Sequence, residues 1–127
     1  MFKNHKCIVL RIPSNFSKIG HFVVLLKRPK AIEYFSSLGG SPTSELKQLG
    51  QDKEALMTLL GSNFIYNSKQ LQSKSSSIHD CALHCLARIK LNDLKLADYQ
   101  KMFTRTLTLS SPDDIVAMLT ILLVSEI

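Results

Sequence analysis

Cysteine is scarce in this chain, with only Cys7, Cys81 and Cys85 among 127 residues. An odd and small number excludes a disulfide framework and points to a reducing compartment. Acid is scarce in the first third. Residues 1–44 carry Lys3, Lys6, Arg11, Lys18, Lys27, Arg28 and Lys30 against Glu33 alone, whereas residues 45–127 carry nine basic and nine acidic groups. The net charge of +6 therefore belongs to the N-terminal third. A basic stretch over residues 3–30 suits a nucleic-acid backbone or an acidic partner, with a merely solvated face as the alternative. Long hydrophobic runs are also missing. Ile115–Val124 is interrupted by Thr120 and falls short of the ~20 residues that span a bilayer. The first residues, Met-Phe-Lys-Asn-His-Lys-Cys, lack the hydrophobic region of a signal peptide. The expectation is an intracellular protein without a membrane segment, or one packaged inside a particle. No repeat is present, and the only biased segment is the short Ser73–Ser77 run, so residues 1–127 read as a single domain.

What is present is a clear alternation of apolar runs and breakers. Lys6–Pro13 and Gly20–Lys27 are rich in Val, Ile and Leu and read as strands. Ala31–Ser37 gives a third strand after the Arg28-Pro-Lys30 turn, and the short connections predict an antiparallel meander. Ser41-Pro-Thr-Ser-Glu45 is a helix start. Leu46, Leu49, Leu56, Leu59 and Leu60 continue the helical period, with a break at Gly50 and an end at Gly61. Asn63–Leu71 predicts a fourth strand. Helices follow over Asp80–Leu91, over Leu94–Phe103 and from Ser110 onward. The order β-β-β-α-β-α-α-α predicts an α+β domain, a small mixed or antiparallel sheet packed by helices.

The chemistry-bearing residues fall at particular places on this frame. Cys81 stands at a helix start, where the helix dipole favours thiolate over thiol. Gln70 and Gln72 lie just before it, and His21 opens a separate hydrophobic strand. A thiol, an imidazole base and a side-chain amide are the parts of a cysteine peptidase: a nucleophile, its proton acceptor and an oxyanion donor. The pieces Gly20-His21-Phe22, Tyr34-Phe35-Ser36-Ser37-Leu38-Gly39, Gln70-Leu71-Gln72 and Asp80-Cys81-Ala82-Leu83-His84-Cys85 occur in one order across residues 20–89. Together they resemble the adenain-like cysteine endopeptidases, including the proteases of Maverick/Polinton elements and virophages. The SUMO-specific peptidases belong to the same clan. The resemblance implies a papain-like architecture with Cys81 as nucleophile, His21 as base and Gln72 as oxyanion donor beside the Cys81 backbone N–H. It further implies cleavage of viral or mobile-element structural proteins during particle maturation in the host nucleus, the cytoplasm or the virion. Stimulation by DNA and by a short activating peptide belongs to the same resemblance, and no cofactor is implied.

The chain departs from that pattern at a few positions. The acid that orients the histidine in the family falls at Ser36, and Glu33, the only acid nearby in sequence, lies on the opposite face by strand alternation. A carboxylate introduced at Ser36 is therefore expected to raise activity. Phe22 follows the histidine where tryptophan is common, and Ala82 follows the cysteine where glycine is common. The segment from Gln72 to Cys81 is about two residues longer than in the family, which leaves Gln70 and Gln72 both as oxyanion candidates. Two other functions stay open: a ubiquitin-like or SUMO deconjugase, and a non-catalytic binding or scaffold module that has lost the acid. Zinc ligation by His79, Cys81, His84 and Cys85 is disfavoured because all four lie within one helix turn and its entry. His79 and His84 are expected at the surface, Asp80 as a helix cap, and Cys7 and Cys85 in the core.

Overall fold

A computed structural model describes residues 6–18, 20–71 and 78–106; for 78–80 and 104–106 it describes the backbone alone. The helix expected from Ser110 lies outside the described residues. In chain order the elements are β1 (Cys7–Ile12), β2 (His21–Lys27), β3 (Ile32–Phe35), α1 (Pro42–Gln48), α2 (Glu54–Leu60), β4 (Phe64–Tyr66), α3 (Ile78–Lys90) and α4 (Leu96–Thr106). The four strands form one sheet in the order β1-β2-β3-β4. β1 and β3 flank β2 in antiparallel pairing, with Ile12 opposite His21 and Val24 opposite Phe35. β4 runs parallel to β3, so the sheet is mixed and the domain is α+β.

Alternation along β2 explains why this strand is central. Val23 and Leu25 point to a core shared with Tyr34, Leu46, Leu56 and Leu60, beneath α1 and α2. Val24 and Leu26 point the other way, to Phe35, Cys85, Ala87, Tyr99 and Phe103, beneath α3 and α4. A strand buried on both faces reads as a continuous apolar run, which is what Phe22–Leu26 is. The helical stretch expected through Leu60 is two helices. Gly50 adopts φ 72°, a left-handed conformation that ends the helix, and Gln51 N–H then closes on the Leu46 carbonyl at 2.8 Å.

β4 is shorter than the expected Asn63–Leu71. After Tyr66, Asn67 turns inward, and its side-chain amide donates to the Ser36 carbonyl at 2.7 Å. The backbone of this segment then rejoins the end of β3, where Leu71 N–H donates to the Ser37 carbonyl at 2.7 Å.

The face of α3 turned inward carries Cys81, His84, Cys85 and Arg88, spaced i, i+3, i+4 and i+7, and all four are buried. His84 is thus not the surface residue expected, because α3 is enclosed by the sheet and by α4. Its ring lies 5.9 Å from that of Phe103. Arg88 is fully buried and donates to Glu33 twice, from Nε at 2.9 Å and from Nη2 at 3.0 Å. Its remaining donors reach the Leu91 and Leu94 carbonyls, both at 2.9 Å. Arg28 adds two further donors to Glu33 from the partly exposed side. This network locks the end of α3 to β3 and occupies Glu33 completely.

Removing Arg88 leaves a buried carboxylate with only the Arg28 side satisfied. Arg88→Ala is expected to cost about 3–5 kcal/mol in urea unfolding, the range for breaking a buried ion pair. Lys27→Ala, at an exposed strand end, should change stability by less than about 0.5 kcal/mol.

Candidate active site

His21 is the first residue of β2 and shares the row of Val23 and Leu25, so its ring enters the α1 side of the sheet. Ser36, just past the end of β3, stands in the corresponding row with Tyr34. The two meet: His21 Nε2 lies 2.8 Å from Ser36 Oγ. Beyond Ser36 lies a carboxylate that the sequence reading did not connect to the histidine. Ser36 Oγ donates to Glu45 Oε2 at 2.5 Å, and Glu45 Oε1 lies 4.0 Å from His21 Nε2. A carboxylate thus stands near His21 although the strand end supplies none: it comes from α1, nine residues after Ser36.

Local structure aims Glu45 inward. Ser41 caps α1 through its hydroxyl, which accepts from Ser44 N–H, so Glu45 is free of that task. Instead its carboxylate accepts from Tyr34 OH at 2.6 Å and from Gly40 N–H at 3.3 Å. Gly40 is needed for this approach: a Cβ there would stand 2.7 Å from Glu45 Cγ. Burial pushes Glu45 above its ordinary 4.5, while the hydrogen bonds from Ser36, Tyr34 and Gly40 pull it back. Burial likewise pushes the His21 imidazole down from 6.5 to about 4, so the ring is neutral at physiological pH.

The thiol reaches the same end of β2 from α3. Cys81 Sγ lies 3.5 Å from the backbone N–H of Phe22, the residue after His21. Cys81 is the fourth residue of α3, which begins at Ile78 rather than at Asp80. Asp80 is consequently inside the first turn and not the cap, and its side chain lies outside the described residues, as does that of His79. A first-turn position and a backbone N–H aimed at sulfur both favour thiolate. Cys81 is only 1% exposed, however, so a substrate reaches it only if the site opens.

Burial works against thiolate formation at the other two thiols. Burial pushes Cys85 up to about 12, with the neighbouring Cys81 and Glu45 adding to the effect. Cys7, half-buried rather than fully in the core, is raised by burial as well.

Gln72 lies outside the described residues, whereas Gln70 is placed. It lines a cleft of about 490 Å³ together with Leu38, Gly40, Glu45 and Gln48, so the cleft opens onto the carboxylate that backs Ser36. Gly39, at φ 77°, lets the end of β3 abut this segment, since a Cβ there would stand 2.6 Å from Gln70 N. Among the described residues no group of three His, Cys, Asp or Glu side chains is placed to hold a metal ion. No described helix is long and apolar enough to cross a membrane.

Comparison with known proteins adds a viral connection. No protein-family model matches the chain. It is similar to the uncharacterized protein V9 of Sputnik virophage, at 28% identity over 116 residues. The match covers 80% of this chain and 66% of that protein, so the chain spans just under two thirds of its relative's length.

The buried imidazole has a consequence for stability. Its folded pKa lies below the unfolded value, so the unfolded chain takes the proton first. The contribution is complete above about pH 6.5 and is lost as pH falls toward about 4. Glu45, shifted upward, acts in the opposite sense, favouring the folded state at low pH and losing that contribution as pH rises through its folded value. Because Glu45 is common to both proteins, comparing the wild type with His21→Gln isolates the imidazole. The stability difference between them, followed by urea unfolding, should shift against the wild type by about 3 kcal/mol between pH 7 and pH 4.

Proposed function

We propose that the chain is a cysteine endopeptidase of the adenain-like kind, acting on structural proteins of a virus or mobile element. The observation that carries this reading is that His21 and the Cys81 thiol stand at the same end of β2, the ring on the α1 side of the sheet and the sulfur on the N–H of the next residue. A neutral, hydrogen-bonded imidazole occupies the first position of the strand. A first-turn helix thiol lies on the N–H of the next residue. In this reading the Cys81 thiolate attacks the scissile carbonyl carbon, and the proton taken up by His21 passes to the leaving amine. The acyl-enzyme is then hydrolysed by water. A side-chain amide from the 70–72 segment, Gln70 or Gln72, and a backbone N–H stabilise the oxyanion. The resemblance to a virophage protein supports the mobile-element setting, and the papain-like architecture remains part of this proposal.

Exposed Lys6, Arg11, Lys18, Lys27 and Lys30 offer positive charge to an acidic or nucleic-acid partner. Arg28 does not contribute, because Glu33 holds it.

A second reading has one observation in its favour. The near-complete burial of Cys81 suits a module that keeps the fold but does no chemistry.

Cleavage of a fluorogenic peptide library separates the two. Cys81→Ala should abolish turnover, while Cys7→Ala and Cys85→Ala retain it within about tenfold; a chelator should have no effect. No turnover by any form of the protein supports the silent module, and equal losses for all three cysteines indicate a structural role for the thiols.

A further inference from the structure

We propose that Glu45 is the missing acid of this site, a positioning residue that acts on His21 through the Ser36 hydroxyl and fixes which ring nitrogen carries the proton. The inference deepens the peptidase reading and rests on it for its kinetic consequence, but the tautomer it assigns can be observed without any activity.

A serine hydroxyl has one proton to give and lone pairs to accept with. An ionised carboxylate only accepts, and Glu45 already receives Tyr34 OH and Gly40 N–H. The 2.5 Å contact between Ser36 Oγ and Glu45 Oε2 therefore uses the hydroxyl proton. Leu38 N–H also donates to the same oxygen, at 3.3 Å. Ser36 then has nothing left to donate at 2.8 Å to His21 Nε2, and that nitrogen must be the donor. The string runs Nε2–H to Oγ, and Oγ–H to carboxylate. The imidazole proton is pinned on Nε2, and Nδ1 keeps the lone pair that can take the proton of a thiol.

A carboxylate in direct contact with histidine does the same thing in serine-protease triads, where its amide replacement leaves the geometry intact but the tautomer wrong. Here a hydroxyl is interposed. The arrangement also reverses the expectation for Ser36. A carboxylate placed at position 36 would stand against Glu45 in a buried site, and two like charges at that range cannot both ionise. Ser36→Asp alone should therefore impair the site rather than improve it. Combined with Glu45→Gln, the same substitution restores one carboxylate beside the ring.

The experiment is nitrogen NMR of the His21 ring at neutral pH, with cleavage kinetics alongside. Wild type should show the Nε2–H tautomer. Glu45→Gln can donate its amide to Ser36, free the hydroxyl to donate to Nε2, and move the proton to Nδ1. That variant should lose on the order of 100-fold in kcat with KM little changed, less than the ~10⁴ of the serine-protease case because a thiol is intrinsically more acidic. Ser36→Asp/Glu45→Gln should return the Nε2–H tautomer and at least tenfold of the rate. A wild-type ring protonated on Nδ1 overturns the proposal, as does a folded Glu45→Gln protein with an unchanged tautomer. If the tautomers behave as stated but no form of the protein cleaves peptide, the relay stands and the peptidase reading falls.

Discussion

One hydroxyl proton, that of Ser36, organises the candidate site. It goes to a carboxylate from α1, which leaves the Ser36 oxygen to accept from an imidazole on β2, and its direction depends on the charge of Glu45. Much of the surrounding structure serves to hold these three groups. Asn67 and Gly39 both donate to the Ser36 carbonyl, at 2.7 and 3.1 Å, so the backbone at the end of β3 is fixed independently of the side chain. Tyr34 and Gly40 take up the rest of the Glu45 carboxylate. A buried polar network holds one arrangement only when nearly every member is satisfied, and here the donors and acceptors balance.

The opposite face of the sheet solves a different problem. There α3 must bring a thiol to the end of β2 while carrying an arginine through the core. The Arg88–Glu33 pair anchors the far end of the helix, seven residues from Cys81, with the guanidinium 4.8 Å from the Tyr99 ring centre. Such a pair offers little net stability over apolar packing, yet it fixes the rotation of the helix about its axis. That rotation decides whether position 81 faces Phe22 or solvent. Glu33 and Glu45 thus divide the labour of the buried acids. One sets the helix bearing the proposed nucleophile, and the other sets the proposed base.

The strands were legible because β2 is apolar on both faces and the connections between β1, β2 and β3 are short. Gly50 marked the break between α1 and α2. The parallel pairing of β4 was not legible, since no local signal distinguishes a three-residue parallel strand from an antiparallel one. His84 reads as polar and hence exposed, but the stripe at 81, 84, 85 and 88 has the spacing of a buried face. That spacing, weighed above residue type, carries the signal that places His84 inside. Glu45 was missed for another reason. It resembles an ordinary acidic residue in the first turn of a helix, and only the cap by Ser41 and the glycine at position 40 free it to turn toward Ser36. The link from His21 to Glu45 is a tertiary contact through a third residue, which neither spacing nor alternation encodes.

The central claim is that Cys81 and His21 act on each other. The most direct measurement is the rate of chloroacetamide alkylation at each cysteine of the folded protein at neutral pH, mapped by mass spectrometry and repeated for His21→Ala. The account predicts that Cys81 reacts much faster than Cys7 or Cys85, and that His21→Ala slows Cys81 at least tenfold while leaving Cys7 unchanged. Equal rates at the three cysteines, or a Cys81 rate indifferent to His21, would contradict it.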